Sequence, residues 1–392
     1  MTLAQFEHCL YAKPLAFDDT FTMTLSSARF IQHSPELASV ITALSQAKFI
    51  ALDTEFVRRN TYKPILCLVQ AMTDQGDIFL LDALSLNLTP FWQYLQQTAA
   101  VKVFHDSRQD LEIVWLESGE LPTPIFDTQL AALMLGLGES CGFARLVEAE
   151  LGVILTKDQT ETDWSQRPLS AAQLQYAIDD VLYLAKLYPQ LMQKLQDNGR
   201  LHWIDDDNRQ LSEISLYQAD IVSLRKKVKA PPFFNIEQKL RLDALLLWRE
   251  AKAMEFNKPR QWILDNGQLL SLAEKMPTQL EQLNKLGLAP QTIRKQGQAI
   301  LDLLSQPPVI AQAPKVPSVD AEQLKGLRSH IERLASELGL RQSAVLANKD
   351  ELSIWLAHGA RPPRLTKGWR NALLNEAKID LIVEQLRQAT QP

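Results

Sequence analysis

The chain has 392 residues, 46% hydrophobic and 22% charged, with a formal net charge of −5. That length predicts two or three soluble domains with real cores, and no uninterrupted apolar run is long enough to span a bilayer. The three cysteines, Cys9, Cys67 and Cys141, are widely spaced and form no Cys-x-x-Cys pair, so they point neither to a disulfide framework nor to a zinc site. Met1 to Leu10 carries no Lys or Arg, and Lys13 and Pro14 break the apolar stretch, so no signal peptide is expected. A reducing cytoplasm fits. The charge is uneven. Residues 1–200 hold 14 Lys and Arg against 24 Asp and Glu, a formal −10, and residues 201–392 hold 27 against 22, a formal +5. Such asymmetry can divide chemistry from contact with a polyanion.

In chain order, residues 1–25 carry no readable pattern and form an N-terminal extension. Ala28 to Gln32 reads as a strand. Ser34-Pro35-Glu36 starts a helix, with Ser34 as N-cap, and Leu37, Val40, Ile41 and Leu44 follow at helical spacing. Phe49 to Leu52 is an apolar strand that ends in Asp53-Thr54-Glu55. Residues two apart on a strand share a face, so the two carboxylates project together. They repel unless a cation sits between them, and hard divalent ions take oxygen ligands of this kind. Ile65 to Ala71 and Ile78 to Leu81 complete a meander, and Pro90 to Gln96 predicts a short helix.

Val101 to Phe104 is a further strand, followed by His105-Asp106-Ser107. Ser107 can cap a helix that carries Asp110 in its first turn, and Asp127 can cap the next one. Ser170 and Gln173 form a capping box for a helix expected to run to about Gln196. On it Tyr176 and Asp180 are four apart and stack on one face. Asp163-Trp164 and Arg167-Pro168-Leu169 precede it. Arg225 to Lys229 is a basic run in a segment read as a linker, 209–235. Ile236 to Gln306 is helical, with Leu240, Leu247 and Trp248 on one face. The Pro-rich stretch 307–319 is a second linker, and residues 320–392 are helical again.

This order of an Asp-x-Glu strand end, an Asp at a strand–turn–helix junction and a Tyr-x-x-x-Asp helix resembles the DEDD exonuclease superfamily in its tyrosine subclass. The local text around Leu52 to Phe56, His105 to Glu112 and Tyr176 to Leu184 is similar to the ribonuclease D family. The resemblance implies an α/β ribonuclease H-like domain, a mixed sheet with flanking helices, over 1–208. It also implies two all-α HRDC-like domains, over 236–306 and 320–392. Carried over residue by residue, it makes Asp53, Glu55, Asp110 and Asp180 ligands of two divalent cations, Mg²⁺ or Mn²⁺. Two such ions can hold the nucleophile and the leaving oxygen of an in-line phosphoryl displacement. Tyr176 would orient the attacking water. A phenol with a pKa near about 10 keeps its proton at neutral pH and is a poor base. Phe56, Gln70, His105 and Arg167 are candidate substrate contacts.

The implied reaction is hydrolysis from the RNA 3′ end, releasing nucleoside 5′-monophosphates, with tRNA precursors and other structured RNAs as partners. Lys258, Arg260, Arg294 and Lys295 in the first helical domain, and Arg361, Arg364, Lys367 and Arg370 in the second, are candidate phosphate contacts. A DNA exonuclease is one rival, because the acids do not read the sugar. An adaptor with an inactive nuclease fold is another. A monomer with no membrane contact is the simplest expectation.

Overall fold

The computed structural model describes residues 28–138, 141–155, 162–307 and 317–388. The N-terminal extension and most of the Pro-rich linker lie outside them, as does Cys9. The described chain divides into two compact units.

The first unit is built on a mixed six-stranded sheet in the order β1-β4-β3-β2-β5-β6. Its strands are β1 (Ala28–Ile31), β2 (Phe49–Val57), β3 (Ile65–Thr73), β4 (Ile78–Asp82), β5 (Val101–Phe104) and β6 (Ile125–Asp127). β3 and β4 pair antiparallel, while β1 runs parallel to β4, β2 to β5 and β5 to β6. Phe49, Ile50, Ala51 and Leu52 are all buried. A continuous apolar run of this kind belongs to a strand covered on both faces. Around the sheet lie α1 (Ser34–Leu44), α2 (Thr89–Gln97), α3 (Arg108–Ser118), α4 (Thr128–Met134), α5 (Phe143–Leu151), the long α6 (Ala171–Asp197) and α7 (Leu201–Leu211). Two caps follow expectation. Asp127 accepts from Gln129 N and Leu130 N, and Ser170 and Gln173 close a capping box. The cap of α1 does not: its N-cap is His33, and Ser34 is already its first helical residue. Extended backbone at His33 lets its N–H reach the Glu36 carboxylate at 3.2 Å, which starts the helix one residue early.

The second unit comprises the loop Val57–Ile65 and residues Ser215–Pro314. It carries α8 (Ile221–Lys227), α9 (Ile236–Glu255), α10 (Arg260–Ile263), α11 (Asn266–Lys275), α12 (Leu280–Lys285) and α13 (Pro290–Ser305). The segment 209–235, expected to be a linker, contains α8. Asp220 caps it, and its Leu224, with Val228 just beyond, joins a core of Leu242, Leu245, Leu246, Leu269, Leu283 and Ile300. The basic run hid an apolar i, i+4 pair. The buried face of α9 is likewise Leu242, Leu245, Leu246 and Ala253. Leu240, Leu247 and Trp248 are only partly covered.

The C-terminal helices α14 (Ala321–Glu337), α15 (Lys349–His358), α16 (Gly368–Glu376) and α17 (Ile379–Gln388) belong to the first unit. They dock on α7. Trp369 stacks on Trp203 with ring centroids 4.4 Å apart and planes 12° from parallel. Arg370, 6% exposed, bonds both oxygens of Asp207, 8% exposed, at 2.7 and 2.9 Å. Arg200 donates to Met134 O at 2.8 Å and to Leu338 O. The chains approach so closely at Gly136 that a Cβ there would stand 2.2 Å from Gly339 O.

Arg370→Ala leaves the Asp207 carboxylate buried without its partner. Urea unfolding should register a loss of about 3–5 kcal/mol. An Arg370→Met/Asp207→Asn double variant should recover part of it. A loss within experimental error for the single variant would mean that the pair does not hold the C-terminal helices.

Candidate active site

The site begins with two matched spacings. Phe49 near the start of β2 packs on Tyr188 of α6, ring centroids 4.8 Å apart. Four residues along an extended strand cover about 13 Å, and eight residues along a helix about 12 Å. Asp53 lies four residues after Phe49, and Asp180 eight before Tyr188. The apolar contact therefore brings the two carboxylates together, and they share a hydrogen bond. Glu55 shares the strand face of Asp53. Ligand oxygens of Asp53, Glu55 and Asp180 all lie within 4.8 Å of one another.

Asp110 joins them electrostatically from the first turn of α3, where it is buried and accepts a hydrogen bond from Thr54 Oγ1. Thr54, between the two strand acids, was not singled out in the sequence. The signal available was a hydroxyl residue on the opposite face of a strand end. The turn before α3 is held by Asp127. Its Oδ2 accepts from Ser107 N at 2.8 Å and Ser107 Oγ at 2.7 Å, and its Oδ1 from Asp106 N at 3.2 Å. Ser107 thus spends its hydroxyl on Asp127 and makes no side-chain cap on α3. Asp127 N in turn donates to Asn208 of α7 at 3.2 Å. One carboxylate fixes both the start of α4 and the turn that aims Asp110.

Without a cation these acids hold their protons. Burial, then the neighbouring Asp180, pushes Asp53 far above the usual carboxylate range. Burial and the charges of Asp53, Asp180 and Asp110 raise Glu55 to about 10. Burial, then Asp179 and Asp110, raises Asp180 to about 8. Asp110 is likewise raised, by burial and Asp53. All ligating atoms here are hard oxygens, and their mutual repulsion is the condition a divalent cation relieves. The donor set fits such a metal.

Tyr176 lies one helical turn before Asp180, half-buried, with its ring 6.0 Å from that of the buried Trp164. Arg167 supports that wall. Its guanidinium bonds Trp164 O, Cys67 O and Asp82 Oδ1, each at 2.7 Å. These contacts make Arg167 a clamp between loop and sheet. Gln70 is 0% exposed, and its amide atoms have no hydrogen-bond partner among the described residues. A side chain so enclosed has no surface to offer a substrate. His105 bonds Thr128 Oγ1 through Nδ1 at 2.9 Å and packs on Phe143 at 5.3 Å. Burial lowers its pKa against the pull of Asp127 and Asp106, which favours the neutral ring. Phe56 follows Glu55, half-buried. The structure thus gathers Asp53, Glu55, Asp110 and Asp180, and sets Tyr176 one turn away on the same helix.

A family model described as 3′-5′ exonuclease matches residues 28–196, and an HRDC domain model matches 238–304. Ribonuclease D of Xanthomonas oryzae pv. oryzae is 34% identical over 361 residues, 91% of this chain and 98% of that protein. The chain belongs to the ribonuclease D family. It is accordingly a hydrolase, a 3′→5′ exoribonuclease. Ribonuclease D of Zymomonas mobilis is 41% identical over 261 residues, and that match spans 65% of this chain and 66% of the relative. The crystal structure of Escherichia coli RNase D, described as an exoribonuclease involved in structured RNA processing, superposes with a TM-score of 0.76 at 29% identity. It covers 93% of this chain and 100% of that one.

Within this ribonuclease D family member, half of the expected phosphate contacts are engaged elsewhere. Arg260 pairs with Glu250, Arg361 with Asp380, Arg364 with Glu351 and Arg370 with Asp207. Lys258, Arg294, Lys295 and Lys367 are exposed. No helix among the described residues is long and apolar enough to cross a membrane.

In the unfolded chain Asp and Glu lose their protons near about pH 4. In the folded, metal-free protein Asp180 keeps its proton to about 8 and Glu55 to about 10. Between these limits the folded state binds more protons than the unfolded one, so stability falls as pH rises. The melting temperature of EDTA-treated protein should therefore decline from pH 5 to pH 9. Mg²⁺ should reverse the decline, and Glu55→Gln should flatten it. A melting temperature that climbs over that range would contradict this arrangement of acids.

Proposed function

We propose that this protein removes nucleotides one at a time from the 3′ ends of structured RNA, tRNA precursors among them, releasing nucleoside 5′-monophosphates. In this reading Asp53, Glu55, Asp110 and Asp180 hold two divalent cations, Mg²⁺ or Mn²⁺. The observation that carries it is the convergence of the half-buried Asp53, Glu55 and Asp180, whose oxygens lie within 4.8 Å of one another, a crowding of carboxylates that a cation relieves. When bound, such ions balance the carboxylate charge and stabilise the charge that develops on the phosphate.

The chain's own groups do the rest. Tyr176, backed by Trp164, donates a hydrogen bond that orients the attacking water. Asp127 keeps Asp110 aimed by holding the turn before it. All five proposed groups come from one chain, so a monomer in the cytoplasm suffices.

Asp53→Asn, Glu55→Gln, Asp110→Asn and Asp180→Asn should each reduce turnover to background while keeping the fold, since each removes an anionic ligand at constant volume. Tyr176→Phe should lower turnover by about a hundredfold, in the range of positioned acid–base groups. The assay is incubation of a tRNA carrying extra 3′ residues, with and without Mg²⁺ or Mn²⁺, beside a DNA strand of matched sequence. Wild-type rate in any acid variant would remove that residue from the set. Faster loss of DNA would put the DNA exonuclease reading first.

A further inference from the structure

We propose that Phe256 and Trp262, with Lys252 and Lys258, form a stacking platform for unpaired nucleotides of the RNA strand. Phe256 caps the end of α9 and Trp262 lies in α10, just past the turn that joins them; both are large apolar groups left in solvent, Trp262 at 57% exposure and Phe256 at 43%. Each carries a lysine four residues before it. Lys252 Nζ stands 5.6 Å from the Phe256 centroid, and Lys258 Nζ 5.5 Å from that of Trp262. Single exposed aromatics are ordinary. Two at one turn, each beside its own cation, match what an unpaired strand presents, namely flat bases joined by anionic phosphates. Glu255 shares Lys252 at 2.7 Å, so Lys258 and Trp262 form the stronger half.

The turn is held rigid from below. Glu250 takes both the Arg260 guanidinium, at 2.5 Å, and the Tyr62 hydroxyl, at 2.6 Å, and Arg260 lies over the Tyr62 ring at 4.7 Å. Lys63 N donates to Asn257 Oδ1 at 3.0 Å, and Asn257 has a left-handed φ of 48°. A preformed turn loses little freedom on binding. Tyr62 and Lys63 belong to the loop that follows β2, seven and eight residues after Glu55. The same loop thus leaves the catalytic strand and braces this turn. Arg260, a candidate phosphate contact by sequence, is a brace, and the turn it braces presents the ligand surface.

The platform rests on the ribonuclease reading, and the test separates the two. A single-stranded RNA ten-mer bearing 2-aminopurine is titrated with the full-length protein in EDTA. The fluorescence reads stacking of the probe base, and anisotropy of a labelled copy reads binding. Wild-type protein should quench the probe, Trp262→Ala should weaken binding by about tenfold, within the range of one base–aromatic stack, and Trp262→Tyr should restore most of it. Lys258→Gln should lower the salt dependence of binding. Equal affinity and equal quench for Trp262→Ala and wild type would overturn the platform. So would weakening by Lys258→Gln alone, which marks a purely electrostatic surface, or a wild-type dimer in sedimentation that Trp262→Ala dissociates, which marks a contact between copies. Addition of Mg²⁺ then tests the underlying reading by itself. Trp262-dependent quenching with no shortening of the ten-mer would sink the nuclease and leave the platform standing.

Discussion

The catalytic unit depends on an unfavourable interaction that its fold is rigid enough to impose. The buried Asp110 and the half-buried Asp53, Glu55 and Asp180 are brought close enough to raise one another's pKa values. Burial of a charge without a partner is costly, and a group so placed neutralises itself instead. The apolar packing of Phe49, Phe126 and Tyr188 between β2, β6 and α6 opposes that cost. It ties the acidic end of the strand to the acidic stretch of the helix. The same closeness that strains the metal-free protein creates affinity for a cation, so stability and function are set by one geometry.

Asp127 shows how that geometry is kept. It is buried and has no place in the acid cluster, yet it accepts hydrogen bonds from the turn at Asp106 and Ser107 and from the first turn of α4. A buried carboxylate with this many donors is well satisfied, and its partners inherit its fixed position. Through Asn208 the same strand end is tied to α7, where the C-terminal helices dock by Trp369 and Arg370. Both helical regions hold basic side chains that look alike in composition, but they use them differently. Arg260, Arg361, Arg364 and Arg370 are internal fasteners. Lys258, beside the exposed Trp262, is left to meet solvent.

Local pattern made much of the chain legible. The strand ending in Asp53 and Glu55, the Ser170–Gln173 box and the Tyr176–Asp180 turn could be read because each depends on residues within four positions of one another. Periods of 2 and 3.6 decide which side chains share a face. Helix existence was equally plain where apolar spacing was strong. It failed at α8, whose apolar Leu224, with Val228 just past its end, flanks and interrupts a basic run, and by one residue at α1, where backbone conformation moved the cap to His33.

By itself, then, the sequence paired Asp53 with Glu55 and Tyr176 with Asp180 and showed the helical character of the C-terminal half, all of them consequences of short-range spacing, while Asp110 joined these acids only through the resemblance to the DEDD exonucleases. Only the tertiary structure decided which charges gather into the acid cluster and which serve packing. Thr54 reaching Asp110, Asp127 gripping Ser107, Arg167 clamping Asp82 and Arg370 buried on Asp207 join residues 20 to 163 positions apart. No local period records such pairs. An arginine bound for phosphate and one bound for a buried carboxylate are the same letter, and the burial that separates them exists only once the chain has folded.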